Sequence, residues 1–454
     1  MARSYQPKRG KSRPQSSRRS SAAKSPAITV TATIDTWDAR GRGVSRSHQP
    51  VLFADGALPG ETCKVLVSKQ KKQVFEGEVI QIEQASEHRI APFCPLINQC
   101  GGCSLQHVAP EQALIWRQDA LDSQLRRHHK LAALPWQTPI VSPHPGYRRK
   151  TRLAIDARDP SDIKLGFRAA GAKAIVNVPH CPVLTSPLNN LLPALHQQLK
   201  QLKRADLLGH ISLLESDNAI AVTCRVTQRL PQQDLDSWRA FAETHNLLLR
   251  ADYGDSGSVV LRGQRDSLTC ATSDSCYVSV TTEDFVQVNH QVNLAMVEQA
   301  LNWLALSPQD TVLDLFCGLG NFSLPIAKKV KQVTAVEGVA TMVQRADACA
   351  QEQGITNIEW RCEDLSDHQV VSALAINNTT KVLLDPSREG AHTVCEQLAK
   401  HKVPSIVYVS CNPATLDRDI APLLAAGYRI SKVGLMEMFP FTQHIEMMML
   451  LTCD

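Results

Sequence analysis

The sequence predicts a multidomain chain: an N-terminal OB-like β-barrel, a β-rich central domain and a C-terminal Rossmann-like α/β domain. Three observations predict this. The 454 residues are enough for roughly three domains of about 150. Short β-branched runs broken by Gly and Pro crowd residues 27–84. From about residue 281, strands alternate with helical stretches, the pattern of a mainly parallel, doubly wound sheet.

Composition narrows the possibilities. At 43% hydrophobic and 20% charged, the chain can bury substantial cores. A run of about 18 uncharged apolar residues is absent, which excludes a membrane helix. The basic N-terminus lacks an apolar h-region, so a cytoplasmic protein is expected. Fourteen cysteines without an export signal point to metal, cluster or catalytic use rather than a disulfide scaffold. The net charge of +5 is uneven. Residues 1–24 hold eight Lys/Arg and no acid, leaving 41 basic against 44 acidic residues elsewhere. This Ser/Pro-rich tail cannot form a core and reads as disordered. It suits a polyanion through counterion release, or serves only as a solubilising extension.

The elements follow in order. In 25–86, ITVTATIDTW, VLFADG, ETCKVLVSKQ and FEGEVIQIE supply the barrel strands, with breaks such as GRG and ALPG. OB barrels often bind oligonucleotides. Eight basic and eight acidic residues over 25–90 do not demand RNA, however. Lys64, Lys69, Lys71 and Lys72 form either a local patch or a solvated hairpin. In 87–280, FCPLINQCGGCSLQHV precedes a helix over 110–131. Its apolar Ala113, Leu114, Trp116, Ala120, Leu121 and Leu125 can pack on the catalytic domain. Between Arg117 and Arg152 there are eight Lys/Arg and two acids, and YRRKTR at 147–152 is the best candidate for phosphate contact. In 281–454, VLDLF, QVTAVEG, KVLLDP and SIVYVS are strands, and ISKVGLMEMF with HIEMMMLLT close the sheet edge.

Four motifs carry chemistry. Cys94, Cys100 and Cys103 stand in a Cx5CxxC run, and Cys181 in PHCPV is a plausible fourth thiol. Four thiolates are the usual complement of an iron–sulfur cluster or structural zinc, and spacing alone does not separate the two. In DLFCGLGNF, Gly318 and Gly320 end a strand and open a helix, where backbone must approach a ligand. Glu337 ends the next strand, 17 residues after Gly320, where a carboxylate can take both ribose hydroxyls, and Asp364 follows the third strand. That trio is the arrangement expected for S-adenosylmethionine. Cys317 reads as a packing residue.

The third motif pairs LLDPSREG with IVYVSCNPAT, placing Asp385 and Cys411 just past strand ends, the edge where open α/β sheets bind ligands. A cysteine there is commonly structural, but the following Asn-Pro turn favours exposure. The fourth is Glu446, the one polar residue in the apolar stretch 445–451. Either it reaches solvent from a strand end, or it is buried with a task.

These residues resemble the RNA uridine C5-methyltransferase family. One signature is Asp385-Pro386-Ser387-Arg388-x-Gly390, then fifteen residues, then Ile406-Val407-Tyr408-x-Ser410-Cys411-Asn412-x-x-Thr415. The other is Phe439-Pro440-x-Thr442-x-His444-x-Glu446. The resemblance covers essentially everything after residue 25 and implies a class I methyltransferase fold using S-adenosylmethionine. It makes Cys411 the nucleophile and Glu446 the general base. It places Gln287, Phe316, Asn321, Glu337, Asp364 and Asp385 around cofactor and target base. It makes Cys94, Cys100, Cys103 and Cys181 ligands of a [4Fe–4S] cluster, and residues 27–84 a TRAM domain. Two positions depart from the family pattern: Glu437 stands where Asp is usual, and Asp364 where a close relative would carry Asn.

The resemblance also implies that the transfer-RNA branch lacks both barrel and cluster cysteines. Having both, this chain looks like the branch that modifies 23S ribosomal RNA at the uridine numbered 1939. Nothing in the sequence requires more than a monomer. The chemistry fits the residue types. A thiolate adding to uracil carbon 6 makes carbon 5 nucleophilic, and after methylation a base must remove the carbon 5 proton. The target base must be flipped out of the RNA. The alternatives are an RNA-binding iron–sulfur assembly factor with a vestigial methyltransferase fold, or a transfer-RNA uridine methyltransferase.

Overall fold

The computed structural model describes residues 28–143, 145–263, 268–374 and 376–453, and of Asn377 only the backbone. The basic tail expected at 1–24 lies outside them.

The first six strands, Ile28–Thr33, Thr36–Trp37, Gly43–Ser45, Val51–Asp55, Thr62–Gln70 and Val74–Gln84, form one sheet. Alternation builds it: Cys63, Val65 and Val67 point into the core while Thr62, Lys64 and Leu66 between them do not. The Lys-rich hairpin is internally paired, Lys69 and Lys71 with Glu76 and Lys64 with Glu83.

A second, seven-stranded sheet runs in the order Ser258–Arg262, Leu247–Asp252, Ile220–Val226, Leu208–Glu215, Lys150–Asp156, Lys164–Arg168, Ile175–Asn177. Helices Ser186–Gln201 and Gln232–Thr244 pack on it through fully buried Leu188, Leu192, Leu195 and Trp238. Here the basic YRRKTR stretch departs from expectation. Arg149 is buried, with Nε donating to the Glu215 carbonyl (3.0 Å), Nη2 paired with Asp217 (3.1 Å) and Nη1 meeting His290 Nδ1 (2.6 Å). Lys150 donates to the Asp284 carbonyl. These charges lock the central sheet to the start of helix His290–Leu304. Arg148 and Arg152 remain to face a cavity.

The catalytic sheet holds seven strands, numbered here within it: β1 Thr311–Leu315, β2 Gln332–Glu337, β3 Ile358–Cys362, β4 Lys381–Leu384, β5 Ser405–Ser410, β6 Arg429–Met436 and β7 Glu446–Thr452. Their order is β3-β2-β1-β4-β5-β7-β6. β1 to β5 are parallel, while β7 inserts antiparallel to both β5 and β6. The two final strands close this edge of the sheet as expected, but with the last one interior, which is why Glu446–Leu451 are buried on both faces. The edge is β6, itself flanked by bridges from Trp136 to Val433 and Ile140 to Met436.

Helix Pro110–His129 packs against this unit, burying Leu114, Leu121 and Leu125 in its core. Its C-terminal part converges on buried Asp417 of helix Pro413–Ala425. Gln124 donates at 2.8 Å, and His128 and His129 lie at 2.6 and 2.7 Å. Replacing Asp417 by Ala strands three partners at once. The expected loss is about 1–3 kcal/mol, read as a lower urea midpoint with an unchanged slope.

Candidate active site

The carboxyl ends of the parallel strands set the site. Leu315 pairs with Leu384 and Val336, and Leu384 with Tyr408, so the residues that follow each strand form a row. Glu337 ends β2, Phe316 follows β1, Asp385 follows β4 and Cys411 follows β5. The Asp385 N–H donates back to the Leu315 carbonyl at 3.3 Å, tying two members together. β7 supplies the remaining one. Ser410 pairs with Met447, so one step further along the ladder Cys411 stands beside Glu446.

Cys411 is half-buried, and its thiol is pushed up by burial and then by the charges of Glu446 and Asp385; Arg388 acts the other way. Burial, together with Asp385, pushes Glu446 up to about 8, and the side chain is only 5% exposed. The reading in which Glu446 reaches solvent is thereby excluded. Burial alone raises Asp385 to about 7, although part of its surface is open at the site.

The loop after β1 approaches its ligand with backbone. Phe316 takes a left-handed φ of 66°, uncommon for a large side chain, and Gly318 and Gly320 follow at 57° and 90°. A Cβ at Gly320 would stand 3.0 Å from Trp360 and 3.2 Å from Leu324. Glu337 braces the loop, accepting from the N–H groups of Gly318 (3.2 Å) and Val339 (3.1 Å). Asn321 forms a reciprocal amide pair with Asn293, both bonds at 3.0 Å. Buried Gln287 Oε1 has no hydrogen-bond partner among the described residues, an acceptor left for a ligand. Cys317 is a buried packing residue.

Asp364 stands apart from this row. It is exposed, and its Oδ1 accepts from the N–H (2.9 Å) and hydroxyl (2.7 Å) of Ser366, bonds that hold its carboxyl below the ordinary range.

The four cysteines come together. Cys94, Cys100, Cys103 and Cys181 line one cavity of about 1250 Å³, and all are free thiols. Burial raises Cys100, Cys103 and Cys181, the last to about 11. Among the described residues no group of three or more Cys, His, Asp or Glu side chains is set to hold a single metal ion. The same cavity reaches Arg148, Arg152, Arg388, Phe439 and His444, and so joins the cysteine loop to the catalytic mouth.

Sequence reasoning passed over Asp314. It is fully buried on β1 and accepts from the Ser323 hydroxyl, while its other oxygen has no partner among the described residues. Burial raises it to about 7, with Asp385 and Glu337 adding to the shift. The signal was present in VLDLF, an acid inside an apolar strand, the same signal that singled out Glu446. Asp419 was also missed. Fully buried, it accepts from Tyr408 (2.8 Å) and the Ala391 N–H (2.6 Å) and so anchors the loop after Asp385.

This sheet order, with a glycine turn after β1 and acids after β2 and β4, defines a Rossmann-like methyltransferase. The chain belongs to the tRNA (uracil-5-)-methyltransferase family, whose model matches residues 142–453. Its relatives include the 23S rRNA (uracil(1939)-C(5))-methyltransferase RlmD of Alteromonas naphthalenivorans, 46% identical over 420 residues, 92% of this chain and 88% of that protein. The protein of the same name from Vibrio cholerae serotype O1 (strain M66-2) is 41% identical over 421 residues, 92% and 94% of the two chains. Among solved structures, Pyrococcus abyssi tRNA (uracil-54, C5)-methyltransferase with S-adenosyl-L-homocysteine shares the fold. The TM-score is 0.70 at 20% identity, covering 93% of this chain and all of that one. An enzyme named for transfer RNA thus matches nearly the whole fold. N-terminal additions by themselves do not mark a ribosomal substrate, contrary to the expectation above.

The raised carboxyls make a pH prediction. For Asp314, Asp385 and Glu446 the folded values of about 7, 7 and 8 lie above the unfolded ones. Their contribution to stability is full below about pH 4, falls as the unfolded chain ionises first, and is gone above about pH 8. The melting temperature of the ligand-free protein should therefore fall between pH 5 and 8, and D385N/E446Q should flatten that slope.

Proposed function

We propose that this protein transfers a methyl group from S-adenosylmethionine to carbon 5 of a uridine in 23S ribosomal RNA, position 1939. The observation that carries the chemistry is the ladder ending at Ser410–Met447, whose next residues are Cys411 and Glu446, with Asp385 just past the end of the adjoining strand β4. The ribosomal substrate rests on 41–46% identity along more than nine-tenths of the chain to proteins of that name.

Bound S-adenosylmethionine supplies an electrophilic methyl on a positively charged sulfur. Gln287, Phe316, Asn321 and Glu337 would hold it, with Asp364 at the outer end of the site. The buried carboxyls, Asp314 included, favour a cationic ligand. The Cys411 thiolate would add to carbon 6 of the flipped uracil, and carbon 5 would then take the methyl as its bond to sulfur breaks and the sulfur leaves as a neutral thioether. Arg388 favours the thiolate form of Cys411. Asp385 orients the uracil edge. Ionised Glu446 then takes the carbon 5 proton, the C5=C6 bond reforms and the Cys411 thiolate leaves.

Cys94, Cys100, Cys103 and Cys181 would ligate a [4Fe–4S] cluster. No step above consumes an electron, so its part is to tie the cysteine loop to the 181 region. RNA would run over the cavity lined by Arg148, Arg152 and Arg225, which shares Phe439 with the cluster cavity. Residues 25–86 would act as a TRAM barrel, 87–280 as the cluster-bearing RNA-binding domain and 281–454 as the catalytic domain. The protein would work as a cytoplasmic monomer; among the described residues no helix is long and apolar enough to cross a membrane.

The deciding experiment offers radiolabelled S-adenosylmethionine with unmodified 23S ribosomal RNA and, in parallel, bulk transfer RNA, and maps the modified base. Label at one large-subunit uridine is expected. Label on transfer RNA alone would keep the chemistry and overturn the substrate, and binding without any transfer would favour an assembly factor. C411A should abolish transfer and leave cofactor affinity intact by calorimetry. E446Q should accumulate a denaturation-resistant protein–RNA adduct, because the thiol can add but the carbon 5 proton is not removed.

A further inference from the structure

Arg117 lies on helix Pro110–His129, upstream of the matched stretch 142–453, and the chemistry above makes no use of it. It is only 5% exposed. Its Nη2 donates to the Thr442 carbonyl at 2.6 Å and its Nη1 to the His444 carbonyl at 3.2 Å. Both carbonyls belong to the loop that delivers Glu446. Nε has no hydrogen-bond partner among the described residues, and burial pushes the guanidinium down to about 10, with Glu437 and Asp38 opposing. Burying a cation is costly, and a hydrophobic side chain would fill the same space without that cost.

The loop needs an outside hold. Phe441 sits at a φ of 65°, and Thr442 Oγ1 bonds both the Phe439 carbonyl (2.9 Å) and the His444 N–H (3.2 Å), making a tight, strained turn. The helix that carries Arg117 is fastened at its other end to Asp417, on the helix that begins two residues after Cys411. One rigid element therefore touches both the nucleophile's helix and the base's loop.

We infer that Arg117 is a positioning residue for the proton-removal step, holding Glu446 where its carboxylate reaches carbon 5 of the Cys411–uracil adduct. The inference rests on the reaction proposed above. In the step concerned, Glu446 takes the carbon 5 proton. The electrons of that C–H bond form C5=C6, and the C6–S bond breaks to return the thiolate. Without Arg117 the adduct forms and is methylated, but it resolves slowly.

The test uses full-length R117M and R117K with unmodified 23S ribosomal RNA in single-turnover reactions. It follows the adduct on denaturing gels, alongside calorimetric S-adenosylmethionine affinity and melting temperature. R117M should release product at least about tenfold more slowly, the scale expected for lost hydrogen bonds to a charged donor. The adduct should accumulate as in E446Q while cofactor affinity is unchanged. R117K, retaining a cation, should fall between R117M and wild type. If R117M does not fold, R117K carries the test and must still show slowed release with accumulated adduct. Wild-type release rates, or slowing matched by lost cofactor affinity and no adduct, would overturn the inference. Wild-type protein tested on 5-fluorouridine RNA, where carbon 5 bears no removable proton, separates the two failures. No trapped adduct there would remove the underlying reaction, whereas a trapped adduct with normal R117M turnover would remove only Arg117's part.

Discussion

The antiparallel ladder from Ser405–Thr452 to Ser410–Met447 is the constraint on which the site depends. Strand register admits no partial slip, because a one-residue shift turns every side chain to the other face. Fixing Met447 against Ser410 therefore brings Glu446 level with Cys411, and the loop before it sets what freedom remains. The surrounding β7 side chains, Met447 to Leu451, are buried on both faces, so hydrophobic packing enforces the register. Chemical precision at two residues is thus obtained from the apolar packing of a strand whose first residue alone enters the chemistry.

Electrostatics are built on the same frame. Asp314, Asp385 and Glu446 hang from three strands of one sheet and are all pushed well above the ordinary carboxylate range. Such a group of acids is an unfavourable arrangement for an empty protein and a favourable one around a cation. Half-buried Glu337 instead accepts through one oxygen from Gly318 of the glycine loop and through the other from Val339, just past its own strand. One type of side chain therefore shapes the loop in one place and the field in another.

Much of this was legible in the sequence, for identifiable reasons. Strand runs, the glycine turn and an acid stranded among methionines are local patterns, and local patterns survive in one dimension. Arg117 and Asp417 were not legible, because their partners lie about 300 residues away and nothing local distinguishes a buried Arg on an amphipathic helix from a solvated one. The YRRKTR stretch was only half legible for the same reason: Arg148 and Arg152 do face an open cavity. Its charge density suggested phosphate, yet Arg149 and Lys150 are consumed by tertiary contacts. The position of β7 was hidden as well, since two consecutive strands at a sheet's end are most simply drawn as consecutive neighbours.

The order of β5, β7 and β6 carries a consequence for the sheet edge as well as for the site. Among the described residues β6 has no strand partner in the sheet other than β7. Residues 446–452 therefore do two things at once: they carry the base to the nucleophile, and they cover the backbone groups of β5 that would otherwise be an open docking edge for another strand.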